Sequence, residues 1–385
     1  MARILILALV FALLSWWLHR RLVRATDLRR GWRIAAALVV VAGGVLTVIG
    51  AGSGSVFAPA WARLPAFAGW VWAGTVFYLV LGLLPLAVLC VVAAVVRRIR
   101  KRERRSRRAV RIATAAVVLA ACGTAGYGVT AAASPSIVGV RIPLDRLPPG
   151  FDGVRIAFVS DLHVGPSRGA GFTQKVADLV AAQHPDLIAF GGDLTDGTVD
   201  RVGDTLKPLA PLRAPLGVFG VSGNHEFYSD DAGRWLDAWQ RVGIRPLRNA
   251  RVSLVRNGSR IDLAGIHDYS GRSPNAPDLK AALAGHDPRA FTLLLAHEPR
   301  QALATNRRGA GPVDLQLSGH THGGQLWPLR YLVPLQQPSV EGLAWVDGTA
   351  VYTTRGVGAW GPPMRVGAPP EITLLTLVRT AATRK

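Results

Sequence analysis

The stretch Val154–His163 (VRIAFVSDLH) joins a short apolar run to an aspartate and a histidine, Asp161 and His163. A run of this length, rich in valine and isoleucine, predicts a buried β-strand. Side chains two residues apart in an extended chain point to the same side, roughly 6.5–7 Å apart. We therefore expect Asp161 and His163 to reach a single metal ion together.

The same pattern, a short apolar run followed closely by polar residues, occurs four more times along the chain. In open α/β sheets, ligands bind beyond the carboxyl ends of the strands, so these polar residues are expected to share one site. The runs and the residues that follow them are Leu187–Phe190 with Asp193, Gly217–Val221 with Asn224, His225 and Glu226, Phe291–Ala296 with His297, and Leu315–Ser318 with His320 and His322.

The last of these segments, GHTHGGQ at residues 319–325, places two histidines one residue apart between glycines. His320 and His322 are expected to point the same way and to serve two ions about 3.5–4 Å apart, one imidazole on each. Taken singly, an Asp-x-His, a Gly-Gly-Asp or a Gly-Asn-His segment also fits an ordinary strand end, turn or helix cap. The ordered combination predicts a metal site.

Further short apolar runs and two helical patterns complete an α/β domain that is long enough to bury its own core. The additional strands are predicted at Ile137–Ile142, Ile261–Ile266, Ala350–Thr353 and Ile372–Val378, and the helices at Phe172–Gln183 and Ala232–Val242.

The first third of the chain is different, because it contains four long apolar runs, at Ile4–Leu18, Ile34–Phe57, Phe67–Val96 and Ile112–Ala133. A helix of roughly 20 apolar residues crosses a bilayer. The first run could be a signal peptide, but it lacks a small-residue cleavage site, which favours a membrane helix. We predict a membrane domain over 1–133, a linker and first strand over 134–150, and the α/β domain over 151–385.

The net charge of +21 belongs mainly to this membrane part. Residues 1–133 contain 18 Lys+Arg and 2 Asp+Glu, which gives 18 − 2 = +16, and the remainder contains 27 and 22, which gives 27 − 22 = +5. The basic residues concentrate in Arg20–Arg33 and Arg97–Arg111, and basic loops remain in the cytoplasm. The short loop Ala58–Ala66 should then face outward, with the N-terminus and everything after Ala133 also outside.

Two alternatives concern the second basic stretch. It could be a nucleic-acid-binding arm, but it lies directly between two apolar runs, so no nucleic acid is expected as a partner. Ser106–Arg111 before an apolar run also fits an internal twin-arginine export signal, but ordinary cytoplasmic arginines are the favoured interpretation. Both the signal and the ordinary reading place the C-terminal domain outside the cytoplasm.

Five segments together resemble the ordered motifs of calcineurin-like metallophosphoesterases: Asp161-x-His163, Gly192-Asp193, Gly223-Asn224-His225-Glu226, His297 and Gly319-His320-x-His322. The resemblance covers about residues 150–380. Pro148–His163, the GHTHGGQ loop, Thr354–Gly358 and Pro370–Leu377 are similar to a subgroup of membrane-associated or exported bacterial phosphoesterases. The resemblance implies a four-layer α/β/β/α sandwich that holds a two-metal centre.

The resemblance also implies roles for ten residues. The implied ligands are Asp161, His163 and His322 on the first metal, Asp193 bridging both, and Asn224, His297 and His320 on the second. The other three are His225 as an acid or electrostatic stabiliser at the scissile oxygen, Glu226 as a support for its loop, and Arg355 as a contact for phosphate.

Mixed oxygen and nitrogen ligands suit Mn²⁺, Fe or Zn²⁺ better than Ca²⁺. Two such ions support hydrolysis of a phosphomonoester, a phosphodiester or a pyrophosphate, and the membrane part favours a lipid- or envelope-linked substrate. Protein phosphatases of the superfamily carry an arginine soon after the bridging aspartate, and Asp193–Gly197 has none. A metal-binding membrane sensor or transport accessory without turnover is the alternative from another functional class.

Apolar residues cluster after the GHTHGGQ loop, and their purpose stays open at this point. They could receive an acyl chain, meet a bilayer or simply pack a long loop. They are Trp327, Leu329, Tyr331, Leu332 and Val333, with Trp345 and Trp360 further along.

Overall fold

A computed structural model of the chain describes residues 2–24, 26, 29–101, 107–304 and 313–380. The chain divides into two compact units, one formed by Met1–Thr130 with Gly361–Met364, the other by Ala131–Trp360 with Arg365–Lys385.

The first unit consists of helices, four of which are long and apolar enough to cross a membrane in the part of the chain that is described. This confirms the prediction of about four apolar spans. They are α1 (Ala2–Leu18, continued as a π-helix over His19–Arg24), α2 (Arg30–Gly52), α3 (Pro59–Ile99) and α4 (Arg107–Ala132).

The helix ends differ from the ends of the apolar runs. Helix α2 stops at Gly52, and α3 begins at Pro59, so the predicted loop Ala58–Ala66 is wrong. Proline suits the first turn of a helix, because its fixed φ is already helical and its missing N–H would have no partner there. Apolar composition marks what a bilayer can hold, whereas capping and backbone geometry set where a helix ends. Of the twin-arginine segment, Ser106 lies outside the described residues.

The second unit is an α/β domain with two mixed sheets and helices on both sides. The strands are β1 (Ser136–Leu144), β2 (Arg155–Val159), β3 (Leu187–Phe190), β4 (Val218–Gly220), β5 (Arg245–Pro246), β6 (Ala250–Arg256), β7 (Ser259–Gly265), β8 (Phe291–Leu295), β9 (Leu315–Ser318), β10 (Gly342–Val346), β11 (Thr349–Thr353) and β12 (Glu371–Arg379). The helices are α5 (Ala170–Ala181), α6 (Val199–Val202), α7 (Asn224–Ser229), α8 (Ala232–Arg241) and α9 (Leu279–Ala282).

The strand order brings the carboxyl ends of the central strands together. One sheet has the order β1-β12-β2-β3-β4-β5 and the other β10-β11-β9-β8-β7-β6. Strands β2, β3 and β4 are parallel to one another, as are β7, β8 and β9. Each sheet therefore delivers the loops that follow its central strands to one edge.

Alternation along the central strands explains the layered packing. In β2, Ile156 and Phe158 face the core between the two sheets, whereas Ala157 and Val159 face the cluster under α5 and α8. Side chains of a strand alternate between its two faces, so a strand covered on both sides is apolar at every position. On the far side of the second sheet, Leu294 packs against α9. The expected α/β sandwich with helices outside both sheets is confirmed.

Three strands were not predicted, namely β5, β6 and β10. All three are edge strands. β5 has only two residues, polar Arg251 and Ser253 interrupt β6, and β10 is a short apolar run whose residues are mostly exposed or half-buried.

Candidate metal centre

The loops after β2, β3, β4, β8 and β9 place the predicted ligands within a few ångströms of one another. One group of possible ligands consists of Asp161, His163 and His322, whose donor atoms all lie within 4.8 Å of one another. His322 Nε2 lies 3.1 Å from His163 Nε2 and 3.3 Å from Asp161 Oδ1. All three side chains are buried.

A second group contains Asp193, His297 and His320 within the same mutual distance. Asn224 belongs with it, since its Oδ1 lies 2.8 Å from His320 Nδ1 and 3.2 Å from His297 Nε2. Asp193 Oδ2 lies 3.2 Å from His297 Nε2 and 3.7 Å from His163 Nε2. The Asp193 carboxylate therefore reaches both groups, which is the position that a bridging ligand requires.

The donor set fits divalent cations. Imidazole nitrogens and carboxylate oxygens converge in buried space, and such groups need a shared proton or cation to offset the cost of burial. Burial, and next the guanidinium of Arg365, lowers the pKa of His322 well below its usual range. Burial, and next the charge of His297, lowers the pKa of His320. Both rings are consequently neutral near pH 7, which is the state that ligates a metal.

Asp193 stays ionised despite complete burial. Burial by itself would raise its pKa, but the nearby His297 and His225 outweigh burial and hold the pKa well below its usual range. The same attraction has the opposite effect on His297: burial opposes its protonation, yet the Asp193 carboxylate raises the pKa of His297 well above the usual value. A cation that binds here must therefore displace a proton from His297.

The backbone of the ligand loops is left-handed rather than extended. The φ angles are 57° at Asp161, 47° at His163, 53° at Asp193, 70° at His320 and 52° at His322. The predicted extended geometry for Asp161 and His163, and for His320 and His322, is therefore wrong. Only a few per cent of residues other than glycine adopt this conformation, most often Asn, Asp and His, and such residues cluster at functional sites.

Gly319 permits the closest approach between two ligand loops. A Cβ atom at this position would lie 2.1 Å from Ser160 Oγ and 2.2 Å from Asp161 Oδ2. The Asp161 carboxylate also accepts a hydrogen bond from the backbone N–H of His320 at 3.0 Å. Only a residue without a side chain lets the loop after β9 rest on the loop after β2.

A family model for calcineurin-like phosphoesterases matches residues 154–324. A Bacillus subtilis protein named "uncharacterized metallophosphoesterase YkuE" is 33% identical to the chain, over 66% of the chain and 91% of that relative. An "uncharacterized metallophosphoesterase" of Aquifex aeolicus is 32% identical over 61% of the chain and 89% of its own length. The chain belongs to the calcineurin-like phosphoesterase family.

A longer relative, the Danio rerio "transmembrane protein with metallophosphoesterase domain", is 37% identical over 65% of the chain. The matched part spans 59% of that relative, and 58% of the Bos taurus protein of the same name. Membership of the family supports divalent metals at the two ligand groups described above.

In this calcineurin-like phosphoesterase, His225 lies next to the proposed metal ligands but is not one of them. Its Nδ1 lies 2.5 Å from Asp196 Oδ1, and its backbone N–H donates to Asp193 Oδ1 at 2.7 Å. Burial favours the neutral ring, but the carboxylates of Asp196 and Asp193 outweigh burial and raise the pKa of His225 to about 9. His225 is thus poised to hold a proton near neutral pH.

Asp196 is a site residue that the sequence reasoning missed. Its Oδ1 also lies 2.9 Å from His163 Nδ1, so one carboxylate orients a ligand ring and the His225 ring together. The charges of His163 and His225 lower the pKa of Asp196 in spite of its burial. The only signal in the sequence was its position three residues after Asp193.

Glu226 supports the loops around Asp193. Its carboxylate accepts backbone N–H bonds from Asp193 at 3.0 Å, Leu194 at 2.9 Å and Gly223 at 2.7 Å. Burial, followed by the charge of Asp193, raises the pKa of Glu226 to about 8. These bonds tie the loop after β3 to the loop after β4.

Two arginines lie near the first ligand group. Arg355 forms ion pairs with Glu371 and Glu341, and its contact with phosphate stays a prediction. Arg365, which the sequence reasoning also missed, is fully buried, and it donates to the carbonyl of His322 at 2.8 Å and to His322 Nδ1 at 3.0 Å. No local pattern around Arg365 pointed to this role.

Proposed function

We propose that the chain is a membrane-anchored, dinuclear-metal phosphoesterase that hydrolyses a phosphomonoester, phosphodiester or pyrophosphate bond in a lipid- or envelope-linked substrate. The single observation that carries the proposal is the pair of ligand groups with the Asp193 carboxylate between them. A dinuclear site of this kind suits in-line attack on phosphorus, because both the attacking and the leaving oxygen need stabilisation.

The ligand assignment follows the two groups. Asp161, His163 and His322 would hold the first metal, and Asn224, His297 and His320 the second, with Asp193 bridging. The mixed oxygen and nitrogen donors fit Mn²⁺, Fe or Zn²⁺. When bound, two such ions lower the pKa of a water molecule and polarise the phosphoryl oxygens.

His225 is proposed as the group that protonates or stabilises the leaving oxygen. Asp196 at Nδ1 favours the protonated ring and leaves Nε2 available to face a substrate. A carboxylate on one ring nitrogen orients a histidine and stabilises its protonated form, which suits a group that donates a proton from the other nitrogen. Glu226 is proposed to keep the loop of His225 in place through its three backbone bonds.

Arg355 is proposed to contact the phosphate. The backbone next to it lies against the first ligand group, since a Cβ at Gly356 would lie 2.7 Å from Asp161 Cβ. With its ion pairs to Glu341 and Glu371, the Arg355 side chain stays partly exposed. Bidentate geometry makes arginine suited to phosphate oxygens.

The membrane context is part of the proposal. The four apolar helices would form a multi-pass anchor, and the concentration of basic residues in Arg20–Arg33 and Arg97–Arg111 supports an extracytoplasmic α/β domain. A reporter that is active only outside the cytoplasm, fused after Lys385, tests this orientation. An active reporter is expected, and a silent one would reverse the proposed topology.

The catalytic proposal is tested with the full chain in detergent and bis-p-nitrophenyl phosphate, with Mn²⁺, Fe²⁺ or Zn²⁺ added. We expect the parent to hydrolyse the substrate and Asp193→Asn to lose this activity. The variant should also bind less metal than the parent. Asp204→Asn is the matched control, since this carboxylate is exposed and pairs only with Lys207 among the described contacts. A parent that binds metal without turnover of any phosphate ester would favour the non-catalytic sensor.

A further inference from the structure

The segment that follows the GHTHGGQ loop exposes large apolar side chains. They range from 52% exposed at Trp327 to 84% at Leu335, and Leu329 and Val333 between them are half-buried. Core packing of a long loop, one of the three interpretations of this segment, is therefore wrong for the exposed members. With Trp360, which is 59% exposed, they form a surface that we call the apolar rim: Trp327, Tyr331, Leu332, Leu335 and Trp360.

The backbone of the rim segment packs directly against the GHTHGGQ loop of the candidate metal centre. A Cβ at Gly324, in the GHTHGGQ loop, would lie 2.3 Å from the Cα atom of Arg330, in the middle of the rim segment. The Thr321 hydroxyl donates to the carbonyl of Val340 at 2.7 Å. The rim segment is thus held on the loop that carries His320 and His322.

Trp360 extends the rim to the proposed acid. The Gln325 side chain accepts from the backbone N–H of Trp360 at 3.0 Å and donates to its carbonyl at 2.8 Å. The ring of Trp360 then lies 6.1 Å from the ring of His225, centre to centre. One exposed apolar ring of the rim therefore lies beside His225, and it is held by Gln325, two residues before Trp327.

The chemistry of the rim favours a lipid surface. Tryptophan and tyrosine prefer the boundary between headgroups and acyl chains, where an apolar ring and a polar tip are both satisfied. Leucines beside them bury their side chains just below that boundary. The α/β domain also follows an apolar helix closely, since α4 ends at Ala132 and β1 begins at Ser136, with only three residues between them.

We propose that the apolar rim docks on the lipid–water interface of the membrane that the apolar helices cross. The mouth of the metal centre then opens at the depth of lipid headgroups, where a phosphate ester of a lipid is located. This consequence for the substrate rests on the proposed function, whereas the docking itself rests on the exposed side chains.

Docking is measured with the full chain in nanodiscs of phosphatidylcholine and phosphatidylglycerol. Cys90 and Cys122, the two cysteines of the chain, are replaced by alanine, and an environment-sensitive fluorophore is attached at Leu332→Cys. Val255→Cys is the matched control, because Val255 is also exposed, at 65%. It lies on β6, and β6 and β10 are the two opposite edges of the same sheet.

Acyl-chain spin labels in the disc are expected to quench the label at position 332 at least about twofold, with a blue shift of its emission. The label at position 255 is expected to show neither change. Equal emission and quenching at the two positions would refute the proposal. A blue shift at 332 without quenching by lipid would identify a protein partner, such as a second copy, and would refute it as well.

A second variant, Leu332→Ser with Leu335→Ser, separates docking from catalysis. Hydrolysis of a diacyl phosphate ester in the disc is expected to fall about tenfold or more, while hydrolysis of soluble bis-p-nitrophenyl phosphate stays unchanged. Equal losses on both substrates would show a structural role and overturn the proposal. If the parent hydrolyses neither substrate, the proposed function fails, and the fluorescence comparison still decides whether the rim meets lipid.

Discussion

Replacing Asp196 by asparagine removes the charge that holds the proton on His225. Asparagine keeps the size of the side chain and an oxygen acceptor near Nδ1 of His225, where Asp196 Oδ1 lies at 2.5 Å. The change therefore alters electrostatics more than shape. Because Asp196 also contacts Nδ1 of His163 at 2.9 Å, bound metal must be measured alongside activity.

The expected magnitude follows from the pKa of His225, which the Asp196 and Asp193 carboxylates raise from 6.5 to about 9 against the opposing effect of burial. The rise from 6.5 to about 9 corresponds to roughly 3 kcal/mol in favour of the protonated ring. Asp196 is the closer and stronger of the two carboxylates, so its loss should lower the pKa of His225 by at least about one unit.

The direction in which the pH profile of activity should move follows from this lower pKa. His225 acts in its protonated form, so a lower pKa makes the ring lose its proton at lower pH. The alkaline limb of kcat/KM for bis-p-nitrophenyl phosphate, recorded between about pH 6 and 10, should move to lower pH by at least about one unit. Asp204→Asn should leave the limb in place. An unmoved limb in Asp196→Asn, with bound metal equal to the parent, would refute the assignment of His225 as the proton donor.

Three further predictions address the metal centre. Gly319→Ala should abolish most metal binding, measured by elemental analysis, because the new Cβ would displace the Asp161 carboxylate, whereas Gly139→Ala, with open space around its Cα, should bind metal normally. Arg365→Lys should lower the free energy of unfolding by about 2–4 kcal/mol, measured with urea, because one ammonium group cannot replace the buried guanidinium, which donates to the carbonyls of His322, Gly356 and Gly358. An unchanged midpoint would contradict this. Metal uptake should release at least one proton, because the pKa of His297 is raised well above its usual range; calorimetry in buffers of different ionisation enthalpy measures this, and heats that do not depend on the buffer would contradict it.

Most of the strands that could be predicted from the sequence are buried on both faces. Phe158 and Val159 are both buried, one facing the other sheet and one facing the helices, so β2 is a continuous apolar run. The two-residue strand β5 and the partly polar strand β6 escaped prediction, as did β10 in spite of its apolar residues, whereas the edge strand β1 was predicted from the run Ile137–Ile142. The apolar helices were predicted for the same reason as β2, because their sequences are continuous apolar runs. The residues at which these helices begin and end were not predicted.

The sequence alone determined which residue types could bind metal and in what order along the chain they occur, because carboxylate, amide and imidazole donors follow strands that must be buried. It could not determine the backbone conformation of the ligand loops, since left-handed φ angles at residues such as Asp161 and His322 are imposed by contacts between loops. Asp196 and Arg365 became recognisable only when folding brought them to His225 and His322. Whether the aromatic residues after the GHTHGGQ loop are buried or exposed was likewise decided by tertiary packing, because exposure depends on neighbours distant in the chain.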